Sequence, residues 1–334
     1  AVPAQGYAFD AWYYDDWGDS DFRRDGSENP KIWRATVGRT WRAVFEEIPE
    51  AVLEVKARDS YDGSALSVKV SYSGDLSGSK TTPFTLSVRE QDGLQVTLDV
   101  QDERIDKGSY YLVFDHWEVG GSSSGDPVSV SVAPGDSEAA VAVFRREYKP
   151  ATLDVRARDG YDGSDPSITI SYSGDLSGSK ATPFTLSVSE EDGLQVTLTA
   201  PSTVSKSGYK LVFDHWELDG QPAGTSTTLS ASVQPGEART AVAVYVRRIT
   251  LTITVRRVGA GGDLGPVEGK TVAVDGSTYT TDSQGKVVVE LGAGQHTVEV
   301  PSEEFNSGWG RYRFKEWGDG STSNPRTINL NRDT

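Results

Sequence analysis

Cysteine and methionine are both absent from this 334-residue chain. Without cysteine there are no disulfides and no thiolate metal sites, so the fold must be held by non-covalent packing. Without methionine the chain reads as a processed product or as a segment of something longer. Asparagine is scarce, with none between residues 30 and 305, and no Asn-x-Ser/Thr glycosylation acceptor occurs. Few oxidisable or deamidating side chains suits a long-lived or hot setting. No apolar run is long enough to cross a membrane as a helix, so membrane insertion is not expected. The start shows no charged-then-apolar leader, and any signal peptide is expected to have been removed. Positive charge is also in deficit, with 33 Lys and Arg against 49 Asp and Glu. A net charge of −16 repels nucleic acid and anionic lipid as partners.

What is present is repetition. SYSGDLSGSK occupies residues 71–80 and recurs unchanged at 171–180. TPFTLSV recurs at 82–88 and 182–188, and DGLQVTL at 92–98 and 192–198. A period near 100 residues is a whole domain rather than a solenoid unit. Within the first copy, LEVKARD, SVKVSYS, TPFTLSV, LQVTLDV, YYLVFDHWEV, VSVSVAP and AAVAVFRR alternate apolar and polar residues between turn-forming YDGS, QDG and PGDS. Seven short strands per repeat, with no 3.6-residue apolar period anywhere, predict an all-β fold of tandem immunoglobulin-like sandwiches. The expected layout is a partial repeat over 1–48, sandwich repeats over 49–149 and 150–248, and a divergent sandwich over 249–334.

An aromatic signature marks all four segments: Phe9 with Trp12, Phe114 with Trp117, Phe213 with Trp216, and Phe314 with Trp317. In the first three it is followed by a strand ending Ala43-Val44-Phe45, Ala142-Val143-Phe144 or Ala243-Val244-Tyr245. This F-x-x-W…AVF pattern resembles the divergent internalin-type B-repeats of bacterial and archaeal surface proteins. The resemblance implies an extracellular structural or adhesive module and brings no catalytic residue with it. In the last segment, TTDSQGKVVVEL followed by HTVEV resembles transthyretin-like, carboxypeptidase-regulatory and collagen-adhesin B-type sandwich domains.

The two ends are complementary. Aligning WRATVGRT (33–40) with INLNRDT (328–334) shows that the first segment continues into WRAVF, whereas the last stops before such a strand. A sandwich short of one strand exposes an unpaired edge. Either residues beyond 334 supply the strand, or a second subunit donates it, with 35–47 as the donor. Head-to-tail donation would build a filament. Trp33, Trp41, Ala43, Val44 and Phe45 are then interface candidates on the donor side, and Ile328 and Leu330 on the acceptor side. The first 48 residues also hold 10 of the 32 aromatic residues, the side chains favoured as interface anchors.

Catalysis is not expected. His116 and His215 sit at equivalent repeat positions, and His296 stands alone. Adjacent strand residues point to opposite faces, so Asp115 is not expected to orient His116 as a catalytic dyad requires. Trp117 is out of phase with Leu112 and Phe114, which predicts a bulge near Asp115–His116 or a strand end there. No cofactor is expected. Calcium is the one candidate ion: Asp15, Asp16, Asp19 and Asp21 crowd one loop, as oxygen ligands for Ca²⁺ would, and RDSYDGS (58–64) and RDGYDGSD (158–165) are weaker candidates. Lys–Asn isopeptide cross-links are excluded from both full repeats, which lack asparagine. Three functions follow: a subunit of an extracellular pilus-like fibre polymerising with itself, a stalk segment of a long surface adhesin or surface-layer protein, or a carbohydrate-binding module using its tryptophans, with glycans or other surface proteins as partners.

Overall fold

The computed structural model describes residues 2–16, 22–29, 31, 39–306 and 310–332. These are all β, with no helix among them. They fall into two compact units, Ala1–Lys149 and Pro150–Thr334.

In the first unit, β1 (Tyr7–Asp16), β2 (Arg23–Gly26) and β3 (Arg39–Glu47) form a three-stranded sheet in the order β2-β1-β3. A complete sandwich follows. Its strands are β4 (Ala51–Asp59), β5 (Lys69–Gly74), β6 (Gly78–Thr81), β7 (Phe84–Val88), β8 (Leu94–Val100), β9 (Arg104–Asp106), β10 (Tyr110–Val119), β11 (Ser122–Ser124), β12 (Val128–Val132) and β13 (Ser137–Tyr148). All seven expected strands are among them. The three additions, β6, β9 and β11, are short edge strands with polar sequences that carry no alternation to read. One sheet runs β11-β10-β13-β4-β7, with β9 also on β10, and the other runs β12-β8-β5-β6.

Alternation explains the core. β4 buries Ala51, Leu53, Val55 and Ala57 on one face, and β8 buries Leu94, Val96, Leu98 and Val100 from the opposite sheet. Together with Leu112, Trp117, Ala140, Ala142 and Phe144 they form one apolar cluster. The QDG turn is repeated for a local reason. Gly93 has φ +73°, and a Cβ there would lie 2.1 Å from the Val132 carbonyl oxygen, with Gly193 placed alike. Only glycine fits both the left-handed backbone and the close approach.

The sandwich is closed by a parallel contact. β13 lies parallel to β4, from Ser137↔Val52 to Phe144↔Asp59. The first and last strands of the domain are therefore neighbours. In the second unit, the strand Ala238–Thr254 lies likewise against Ala151–Asp159, from Thr152↔Ala238 to Asp159↔Tyr245, over an equivalent core.

Domains are joined differently in the two units. Pro49 and Pro150 interrupt the strands at the starts of the repeats, because proline cannot donate to a ladder. No proline stands between the second repeat and the third domain, and Ala238–Thr254 runs through as one strand of 17 residues. Its last part pairs antiparallel with Lys286–Gly292. Tyr209 packs on both cores, and Lys210 Nζ meets Glu290 Oε2 at 2.6 Å. The third core is smaller, comprising Ile249, Leu251, Ile253, Val272, Val274, Val287, Val289, Val298 and Leu330.

The aromatic signature contains a bulge. Phe114 pairs with Phe144 and His116 with Val143, so Asp115 is the extra residue. The same shift occurs between Phe213 and His215 and between Phe9 and Ala11. The bulge turns Trp117 back to the core, where it is fully buried and donates from Nε1 to Asp126 Oδ1 at 2.8 Å. It also overturns the expectation for the neighbouring histidine: Asp115 Oδ2 lies 2.7 Å from His116 Nδ1, and Asp214 does the same for His215. The alternation argument fails there because the extra residue breaks the two-residue period.

Replacing Trp117 with Ala is expected to destabilise the first repeat by about 3–5 kcal/mol through cavity formation. Deleting Asp115 removes the extra residue and leaves Trp117 in phase with Phe114, so Trp117 is expected to stay buried and the variant to lose far less stability than Trp117→Ala. Urea titration of each variant checks both.

Candidate functional site

The Asp–His pairs of the two repeats lie in matching surroundings. His116 Nε2 stands 3.5 Å from Glu118 Oε1, and Glu118 accepts from Arg58 Nη2 at 2.7 Å. The second repeat repeats the arrangement with His215, Glu217 and Arg158. Both imidazole nitrogens thus face carboxylates. Among the described residues no hydroxyl is hydrogen-bonded to either imidazole, the contact that a Ser-His-Asp triad is built on. His296 lies between Asp275 Oδ2 and the Gly292 carbonyl, at 2.7 and 2.8 Å.

The candidate calcium loop falls largely outside the described residues, which exclude Asp19, Asp21 and the side chain of Asp16. Asp15 is buried and accepts the Thr40 amide at 3.2 Å. The YDGS loops are occupied otherwise. Asp62 and Asp162 accept from the amides of Ser64 and Ser164 and from Arg146 and Arg247. No group of three or more potential ligands occurs among the described residues.

Those arginines belong to the feature that closes each sandwich. Arg146 follows Phe144 on the inward face of β13, and its Nε donates to Asp59 Oδ2 at 2.7 Å. Asp59 is only 1% exposed. The Tyr61 and Tyr110 rings lie 4.3 and 4.7 Å from the guanidinium. Arg247 bonds Asp159 and Asp162 at 2.6 Å each and lies near Tyr161 and Tyr209. A buried carboxylate is tolerable here because a forked guanidinium pairs with it under a lid of rings. Sequence reasoning missed both pairs, although the Arg-Asp ending of the first strand and the arginine two residues past AVF or AVY were visible in both repeats.

The remaining site is a pair of open edges. In the first unit, β3 pairs with β1, with Phe9↔Phe45 and Trp12↔Ala43. This reproduces the Phe114↔Phe144 and Trp117↔Ala142 pairs of β10 and β13. The rings pack on one another: Phe9 to Phe45 at 6.0 Å, Phe9 to Trp12 at 5.5 Å and Tyr14 to Trp41 at 5.3 Å. Trp41, Ala43 and Phe45 are half-buried and Val44 is exposed. Trp33 and residues 35–38 lie outside the described residues. No strand lies on the far side of β3 among the described residues. In the second unit, Ile249–Thr254 has Lys286–Gly292 on one side and no strand on the other, again among the described residues. Among the described residues, the signature strand Gly310–Arg313 pairs only with Glu303–Asn306. Ile328 and Leu330 lie away from this edge. They sit on Arg326–Leu330, which pairs with Gly294–Glu299 in the opposite sheet, and Leu330 is buried in its own domain's core.

No family model matches the chain, the internalin-type repeat included, and no curated protein matches it. Solved structures similar to it include a Bacillus anthracis protein and two pilins. The Bacillus anthracis TIE protein aligns with 83% of this chain and 52% of its own at 13% identity and a TM-score of 0.30, so the chain spans about half of that structure. BcpA, the major pilin subunit of Bacillus cereus, aligns over 85% of this chain and 97% of its own at 8% identity and TM-score 0.29. A streptococcal ancillary pilin aligns over 85% and 100% at 10% identity and TM-score 0.23. TM-scores of this size leave the functional reading to the chain's own geometry. No helix among the described residues is long and apolar enough to cross a membrane.

The closing cluster has a pH signature. Hydrogen bonds from Ser164, with Arg247 beside it, bring the Asp162 carboxyl from 3.8 down to about 2. A lowered folded-state value stabilises the fold above the unfolded value and is lost as pH falls towards the folded one. The melting temperature of the second repeat is therefore expected to fall between about pH 4 and pH 2. In Asp162→Asn that fall is expected to be shallower, by a small amount because the carboxylate is well exposed. Calorimetry across pH checks this.

Proposed function

We propose that the chain is a structural subunit of an extracellular pilus-like fibre, and that its copies join head to tail by β-strand addition. The observation that carries this reading is the pair of open edges. Among the described residues, β3 is a closing strand with no first strand beside it, and Ile249–Thr254 is a first strand with no closing strand beside it. The order β2-β1-β3 matches β11-β10-β13, and Ile249–Thr254 with Lys286–Gly292 matches β4 with β7. Joined, the two pieces reproduce the large sheet of a complete repeat. Because donor and acceptor are different surfaces, the contact is heterologous and propagates.

The protein is read as non-enzymatic and acting at the cell surface, with other copies of itself as the main partner. Its remaining domains serve as spacers within the fibre. A chain lacking residues 1–48 is expected to stay folded and monomeric, while the full chain forms fibres visible by electron microscopy. Fibres of normal appearance from the shortened chain would overturn the reading.

A further inference from the structure

The ion pair that closes each sandwich is written with opposite polarity across the two open edges. Register fixes the equivalent positions. In the second repeat, Ala151 faces Val188 and Val155 faces Phe184. In the third domain, Ile249 faces Leu291 and Ile253 faces Val287. Ile249, Leu251 and Ile253 thus stand where Ala151, Leu153 and Val155 stand. Beyond Thr254 the chain leaves this ladder for a hairpin of Arg256–Gly259 with Gly262–Pro266. The Val267 amide donates to the Val255 carbonyl as the Leu66 amide does to that of Ala57, which carries the count on to Arg257 at the position of Asp59 and Asp159. Three residues further on, where the repeats place Asp62 and Asp162, the third domain has Ala260. On the other edge, Phe45 takes the place of Phe144, since Phe9↔Phe45 reproduces Phe114↔Phe144. Two residues beyond, at the position of Arg146 and Arg247, stands Glu47. Both repeats have arginine on the closing strand and aspartate on the first strand. The open edges have glutamate on the closing strand and arginine on the first.

We infer that β3 of one copy adds parallel to Ile249–Thr254 of a second copy, in the register that sets Phe45 opposite Arg257, and that Glu47 and Arg257 form the ion pair of the joint. This rests on the strand-addition reading above and deepens it. The reversal sorts strands. If β3 displaced β13 from the first repeat, Glu47 would face the buried Asp59. If a loosened β13 entered the third domain, Arg146 would face Arg257. Like charges in a closing site that excludes water are strongly disfavoured, so each closing strand is rejected by the wrong acceptor. Before joining, Glu47 is ion-paired with Arg89 and remains well exposed, so the bond is exchangeable. The register and the ion pair are the same whether β1 stays on β3 or yields its place to Gly310–Arg313.

Two measurements on the full-length chain test this. In fibre-assembly assays, Glu47→Arg and Arg257→Glu are each expected to slow assembly at least about tenfold, and the two together to restore it to within a few-fold. Cysteine scanning is clean because the chain has none of its own. In the inferred register Val44 faces Arg256, as Val143 faces Arg58, and neighbouring strands about 4.8 Å apart are within disulfide reach. Mixing Val44→Cys chains with Arg256→Cys chains under oxidation is expected to give linked dimers. Val44→Cys with Thr252→Cys, displaced about 13 Å along the strand, is expected to give none. A double-charge variant no better than the singles, or equal linkage at Thr252 and Arg256, overturns the inference. If that happens while loss of residues 1–48 still abolishes fibres, strand addition stands and only its register and ion pair fall. If wild-type chains form no fibres and the Val44→Cys and Arg256→Cys chains do not cross-link, both readings fall. Linkage within a single chain carrying both cysteines, with none between mixed chains, overturns the second copy as partner.

Discussion

Each repeat depends on one contact, the parallel ladder between its first and last strands. β4 and β13 are about 80 residues apart in sequence and adjacent in space. No hairpin can deliver such a pair, because parallel neighbours require a crossover. Here nearly the whole domain is the crossover. The chain between the two strands must return across the domain for the ladder to form, and the ladder completes the core by bringing Ala140, Ala142 and Phe144 beside Leu53, Val55 and Ala57. Asp59 and Arg146 then seal the end of that layer, where the apolar side chains run out. The bulge at Asp115 serves the same closure, since it turns Trp117 into the core beside β13.

Much of this was legible in the sequence. The all-β class, the seven principal strands and the repeat period follow from alternation and self-similarity, which are local signals. The out-of-phase Trp117 pointed to a bulge or a strand end, and the structure shows the bulge. What local pattern could not show was pairing. Nothing in AVLEVKARD announces a parallel partner far along the chain. Asp59 and Arg146 read as ordinary surface charges until register brings them together under two tyrosine rings. The Asp115–His116 contact was missed for the converse reason: a rule valid for regular strands was applied across an irregular one. At the open edges, the sequence showed which strand was in short supply. Ile328 and Leu330 precede the missing strand in sequence, whereas the open edge lies on the domain's first strand, at Ile249–Thr254.

Identical blocks such as SYSGDLSGSK create a hazard, because closely similar domains can exchange strands during folding. Within this chain the closing strands of the two repeats share the run AVAV and the sealing arginine, Arg146 or Arg247, and differ in their other charges, with Glu138 and Glu147 on one and Arg239 and Arg248 on the other. The third domain is set apart, with its own first-strand sequence, a smaller core and an arginine where the repeats have aspartate. The sequence that diverges most is the sequence that lies at the open edge.

The parallel ladder also determines how a repeat carries load. The chain enters at Ala51, at the start of β4, and leaves at Tyr148, at the end of β13, and both strands run the same way. Entry and exit are therefore at opposite ends of one ladder. Tension applied through the backbone pulls the two strands along their length in opposite directions, so the ladder is strained in shear and its hydrogen bonds resist together. A hairpin pulled at its open end unzips one bond at a time. In the second unit the 17-residue strand hands this tension straight to the third domain, with no turn to straighten first. A chain built this way yields only when a whole ladder gives at once, which is the behaviour required of a tether.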